Sequence, residues 1–279
     1  MRPWIFIALY LFSASVQAGT ACSEQQQTAD TMRKAFMLAV QTRDRLDNSG
    51  AQVALIARVG QDLSSYRLKY SHVAFAWRNH PQGRWLVMHE LNQCGTANSN
   101  LYNEGLANFF YDDLFAWDAM VMIPSPALQA RIVEELRQPA LLKQLHQPRY
   151  SMVAYPFSTQ YQNSNQWVLE VLAGALQQNG LNQNDSNPGN TNQDLVSQKQ
   201  LDRAAAQAWL KQAGYQPGML RILALHRLAG RMFRANVAFD DHPGADRLLG
   251  KIEVVTVESV VQFVHKQDTL STVQTVILQ

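Results

Sequence analysis

Apolar positions recur at helical spacing over residues 30–46. Met32, Phe36, Ala39 and Val40 share one side there, and Asn48-Ser49-Gly50 ends the repeat, so the pattern predicts an amphipathic helix. The period then changes. Residues 53–59 are a short apolar run stopped by Gly60, which reads as a buried strand. His72-Val73-Ala74-Phe75-Ala76-Trp77 and residues 85–91 flank the turn-forming Asn79-His80-Pro81-Gln82-Gly83, which predicts an antiparallel hairpin. A further strand is expected over 119–123, stopped by Pro124-Ser125-Pro126. There Ser125 is placed to cap a helix through Leu136 and Pro126 to occupy its first position. A short helix over 140–146 follows, and 150–157 is mixed. Asn163 or Ser164 then opens a strong helix, with Trp167, Val168, Val171, Leu172 and Leu176 along it.

Beyond that helix the composition shifts. Residues 177–198 are rich in Asn and Gln with almost no apolar side chains, which predicts a linker or loop. Helices are expected over 200–213 and 219–234. Residues 251–264 alternate in a way that admits a strand, yet their apolar spacing also fits a helix beginning near Val257. The expected architecture is α+β: an antiparallel sheet flanked by helices over 19–176, then a helical C-terminal subdomain over 199–279.

The first eighteen residues read as a targeting signal. Arg2 is followed by an apolar run, 4–12, far too short to cross a bilayer as a helix, and Val16-Gln17-Ala18 supplies small residues at a cleavage site. Removal after Ala18 would leave about 260 residues working in the periplasm or outside the cell. A lipid anchor at Cys22 is disfavoured, because Gly19-Thr20-Ala21 lacks the Leu-like residue that usually stands three before such a cysteine. In an exported chain the only two cysteines, Cys22 and Cys94, are expected to form a disulfide, which would leave no thiol for catalysis. With 24 Lys and Arg against 22 Asp and Glu, scattered rather than clustered, nucleic acid is not an expected partner.

Three places carry candidate chemistry: His72 at the head of one strand, His89 on the next, and Ser164 at a helix start. A nucleophile needs a base, the base needs a group that fixes its tautomer, and a developing oxyanion needs donors. Free backbone N–H groups and the positive dipole end make a helix N-terminus suited to the last task. Glu90 and Asn92 would point to the opposite face from His89 in a regular strand, and either becomes the third group if the faces are exchanged.

Tyr70-Ser71-His72, His89 and Asn163-Ser164-Asn165-Gln166-Trp167-Val168 together resemble the circularly permuted NlpC/P60-like proteins. That group includes the lecithin retinol acyltransferase-like enzymes, thiol amidases and acyltransferases of papain-like type. The likeness spans about residues 53–176. It implies a permuted papain-like core in which His72 is the base, His89 orients it, and Ser164 stands where the group has its nucleophilic cysteine. Nearly the whole chain also resembles a bacterial exported family known as domain of unknown function 2145. That likeness is carried by Gly60-Gln61-Asp62-Leu63, Tyr70-Ser71-His72, Pro148-Arg149-Tyr150-Ser151, Tyr161-Gln162-Asn163 and Ala238-Phe239-Asp240-Asp241-His242-Pro243.

Serine in place of cysteine makes the chemistry harder. A hydroxyl cannot be ionised by a helix dipole and must hand its proton to His72 during attack. The expected activity is therefore a serine hydrolase or acyltransferase acting on an amide or ester of the envelope. The alternative is a non-catalytic binding protein that kept the groove. Competing structural explanations are concrete: serine is among the best helix N-caps, worth about 1 kcal/mol, and Asp240-Asp241-His242 before Pro243-Gly244 suits a solvated loop better than a metal site. No phosphate-binding loop, dinucleotide fingerprint or cofactor motif is present. Trp77, Trp85, Trp117, Trp167 and Trp209 are expected in the core or in groove walls.

Overall fold

The computed structural model describes residues 28–112, 114–183, 201–222 and 235–278. The proposed leader and most of the Asn/Gln-rich stretch lie outside these residues, as does Cys22.

Helix α1 (Ala29–Asn48) starts where the Thr28 hydroxyl accepts from the Thr31 N–H, with Asp30 in its first turn and Arg45 in its last. Its buried face is Ala35, Leu38, Ala39, Thr42 and Leu46. Met32, Phe36 and Val40, expected to face the core, are exposed instead. The small residues Ala35 and Ala39 let the helix approach closely, and that packing outweighs the raw hydrophobicity of the other side.

Strands β1 (Val53–Val59), β2 (His72–His80) and β3 (Gly83–Asn92) appear as the pattern predicts, and β2 and β3 form the expected hairpin. Two further strands were not legible: β4 (Ser99–Glu104) and, at the far end of the chain, β8 (Thr272–Ile277). With β5 (Ala116–Ile123) they make one antiparallel sheet in the order β4-β3-β2-β1-β5-β8. Every residue of β1 is buried, because both faces of this sheet are covered. One face packs on α3 (Pro126–Leu136), α5 (Ser164–Gln183) and α8 (Val257–Gln267), through Leu55, Phe75, Met122, Leu128, Trp167, Leu172 and Phe263. The other is covered by α1 and the short α2 (Leu106–Tyr111), around Leu46, Ile56, Trp85, Val87 and Phe109.

Ser125 caps α3 and Pro126 opens it, as expected. Helix α4 (Pro139–Gln144) follows. Helix α5 begins at Ser164 and runs to Gln183, so the expected linker boundary at residue 177 falls inside a helix.

The expected helical C-terminal subdomain requires correction. Helix α6 (Arg203–Gln212) is present, but Gly218–Arg221 is a strand, β6, at the start of the helix expected over 219–234; residues 223–234 lie outside the described residues. It pairs with β7 (Lys251–Val254) beyond the short α7 (Gly244–Leu248). The ambiguous 251–264 stretch resolves into both of its readings, β7 and then α8. The switch falls at Thr256, which forms a reciprocal capping box with Ser259. Val255, Val257, Val260, Phe263 and Val264 join the same core as α3 and α5, and β8 completes the main sheet. A separate unit would leave that apolar face bare, which is why these residues fold into the main body.

Cys94 lies in the exposed turn 93–98 between β3 and β4. Peptide mapping of the protein under non-reducing conditions is expected to join it to Cys22; free thiols at both positions would remove the bridge.

Candidate functional site

Pairing between β2 and β3 runs from the hairpin end only as far as Phe75 opposite Met88. Beyond that point β3 continues alongside β4, and β2 continues alongside β1. The first turn of α5 enters the resulting fork. Asn165 Oδ1 accepts from the Val73 N–H at 3.0 Å, and its Nδ2 donates to the carbonyls of Ser71 and Val255, both at 3.3 Å. One side chain thus grips the two backbone groups that flank His72. Asn163 caps the helix, its Oδ1 accepting from the Gln166 N–H at 2.9 Å.

His72 and His89 meet where the strands part. His72 Nε2 lies 2.9 Å from His89 Nδ1, with the rings edge to face at 5.1 Å between centroids. On the far side of His89, Nε2 lies 3.0 Å from Glu104 Oε1 on β4, close but not aligned as a hydrogen bond, so the hold is electrostatic. A carboxylate there favours the proton on His89 Nε2. His89 Nδ1 then accepts from His72 Nε2–H, and His72 Nδ1 keeps a bare lone pair. Phe109 packs tilted against His72 and edge to face with His89, and Arg58, bound to the Phe109 carbonyl and Asp112, lies beside them. Burial, then Arg58, then His89 hold the His72 pKa well below the usual imidazole value. Burial likewise lowers that of His89, opposed by Glu104. Both imidazoles are thus neutral at pH 7.

Ser164 is the first residue of α5 and is nearly buried. Among the described residues no hydrogen bond joins it to either imidazole. The Tyr150 phenol faces its hydroxyl and backbone N–H instead; burial pushes that phenol up to about 12, and Ser164 pulls it back down. The imidazoles point into the layer under α1 and α2, whereas the body of α5 packs on the opposite face through Phe75 and Trp167, 6.0 Å apart. The structure therefore unites the two histidines and brings Ser164 to the strand that carries His72, without pairing the hydroxyl with the ring.

Glu90 does lie on the α5 face, as strand alternation requires. It is completely buried, and neither oxygen has an aligned partner. Its neighbour Glu170 is satisfied by contrast. Arg203 Nε donates to it at 2.8 Å, Gln207 at 2.7 Å and Gln162 at 2.6 Å, which ties α5 to α6 and to the loop before it. Asp240, Asp241 and His242 act as loop ties. Asp241 accepts from the Tyr155 N–H at 2.8 Å, Asp240 from Gln160 at 3.0 Å, and His242 bridges Asp241 to the Glu253 carbonyl. No group of three or more His, Cys, Asp or Glu among the described residues could hold a metal ion. No described helix is long and apolar enough to cross a membrane.

Glu104 and Tyr150 were missed as site residues. Glu104 lies on a strand with no apolar alternation, and Tyr150 on irregular chain, so no periodic signal marked either.

These features define a mixed α+β protein with a buried histidine pair beside a helix N-terminus. The chain belongs to the family described as an uncharacterized protein conserved in bacteria (DUF2145), whose sequence profile matches residues 45–264. That span takes in the histidine pair, Glu104, Tyr150 and Ser164. Comparison with the curated proteins and with the solved structures gave no match.

Burial raises the Glu90 pKa from 4.5 to about 8, with the Ser99 hydroxyl opposing and Glu170 adding to the rise. Between those values the unfolded chain releases its proton while the folded one keeps it. Glu90 therefore destabilises the fold progressively as pH rises from 4.5, and the cost levels off near pH 8. Glu90→Gln removes the cost: urea unfolding is expected to show a gain on the order of 4 kcal/mol at about pH 8 that shrinks towards about pH 5. A gain independent of pH would show that the carboxyl does not titrate in this range.

Proposed function

We propose that this protein is an exported hydrolase or acyltransferase acting on an amide or ester, with a papain-like core in permuted order. The observation that carries the reading is the ordered contact from Glu104 through His89 to His72, which leaves His72 Nδ1 as an open base. Serving that base is the helix start beside the same strand, where Ser164 is the only hydroxyl-bearing residue of the first turn.

In this reading substrate binding first turns Ser164 Oγ from Tyr150 towards His72 Nδ1, and Oγ then attacks the acyl carbon as its proton passes to that nitrogen. His89 and Glu104 stabilise the imidazolium that forms. Backbone N–H groups at the start of α5 and the protonated Tyr150 phenol supply donors for the oxyanion. His72 returns the proton to the departing amine or alcohol, and water then releases the acyl group by the same steps. The residues involved require no cofactor for this sequence of steps. Peptidoglycan peptides and lipid esters are the substrate classes an envelope location offers.

A second reading, a binding protein without turnover, is favoured by the packing of the Ser164 hydroxyl against Tyr150. The two separate cleanly. A fluorophosphonate probe is expected to label the purified protein at Ser164, to leave Ser164→Ala and His72→Ala unlabelled, and to react faster as pH rises, with a midpoint below 6.5. No labelling across the pH range would remove the catalytic reading and leave the binder.

A further inference from the structure

The two edges of the main sheet are finished differently. At the β4 edge the Ser99 N–H is taken by the Pro148 carbonyl at 2.9 Å, and Asn98 bridges to Arg149, so the neighbouring chain closes the start of that strand. Glu104 adds a charge at its end. The β8 edge has neither device. It pairs with β5 on its inner side, and among the described residues no strand pairs with its outer side. Thr272-Val273-Gln274-Thr275-Val276-Ile277 contains no charge and no proline, and only Val276 is buried. Val273 is 48 % exposed and Ile277 56 %. Natural sheets normally blunt such an edge with lysine, proline or a bulge, because its free N–H and C=O groups template another strand.

Beside this edge lies an open cavity of about 460 Å³. Its floor is Gln274 to Ile277, and its wall is the last turns of α1: Gln41, Asp44, Arg45 and Asn48. These wall residues share one helix side, at spacings of three and four. They include one acid and one base next to each other. A two-fold axis normal to the sheet at this edge would lay the two α1 walls side by side, where neighbouring Asp44 and Arg45 of one copy offer both charges to the same pair of the other. Asp44 already accepts from Arg43 at 2.7 Å, but both side chains are about half exposed. Exchanging such a pair costs little.

We propose that β8 and the C-terminal turns of α1 form a surface for a second copy of this chain, with β8 pairing antiparallel to β8 and the sheet continuing across the dimer. A six-residue strand by itself falls short of the area of a stable interface, so the α1 wall is needed. The expected complex is accordingly reversible, with a dissociation constant in the micromolar range.

The test is sedimentation velocity on the whole exported chain over a dilution series. The wild type is expected to pass from dimer to monomer as it is diluted. Gln274→Lys sets like charges across the new pairing and is expected to weaken the dimer about tenfold or more without moving the thermal transition, since the residue is exposed. Asp44→Arg is expected to weaken it as well, and the exchanged double variant Asp44→Arg with Arg45→Asp to recover it. A chain that stays monomeric throughout overturns the proposal, as does a dimer indifferent to all three variants. A monomer that instead takes up a synthetic peptide copying residues 272–277 at this edge also overturns it, and assigns the edge to a peptide partner.

Discussion

The arrangement around the histidines depends on one amide side chain wedged into a split sheet. Had β2 and β3 stayed paired to their ends, β3 would satisfy the Val73 N–H and the Ser71 carbonyl. Asn165 does so in its place, from a helix. An unsatisfied buried donor or acceptor costs about 1–3 kcal/mol, so the split is tolerable only while the wedge stays. Asn165 thereby fixes the depth and rotation of α5, and every residue after it inherits that placement. Trp167 meets Phe75, and Glu170 meets Arg203.

The sheet then separates two polar groups with different energetics. Under α1 and α2 the histidines stay neutral, because burial and Arg58 oppose a positive charge on them. On the α5 face Glu170 is held by a buried arginine and three amides, which oppose the rise that burial imposes on its pKa. Glu90 lies near it without such compensation. The contrast is physical: among the described residues on this face Arg203 is the one buried guanidinium, and it binds Glu170. Leaving a carboxyl in this state has a thermodynamic cost that a purely structural core would shed by substitution with an apolar residue. Groups retained under such a cost tend to mark functional regions, and Glu90 is adjacent in sequence to His89 and faces the Tyr150 that touches Ser164.

Elements with one dominant period were legible in the sequence. The all-buried run of β1, the His72–Trp77 strand and the Ser125-Pro126 helix start could each be read because local preference and tertiary burial agree there. Strand β8 was not legible, since five of its six residues are exposed and no alternation marks it. The buried side of α1 was misread because alanines face the sheet while Met32 and Phe36 face out, so hydrophobicity alone selects the wrong side. In the site, the histidine pair followed from two neighbouring strands. The fork did not, because where two strands part is decided by Asn165, 92 residues further along the chain than Val73.

If Ser164 is the nucleophile, as proposed, its surroundings suit a hydroxyl better than a thiol. A thiolate–imidazolium pair must form before attack, and it needs an imidazole that accepts a proton readily. Here burial, Arg58 and the second imidazole all act against a proton on His72 in the resting state. A hydroxyl makes no such demand, because its proton moves only as the new bond forms, and the charge on His72 is then transient. Glu104 is placed to offset that transient charge through His89. On that proposal, neutral histidines favour concerted general-base chemistry over a pre-formed ion pair.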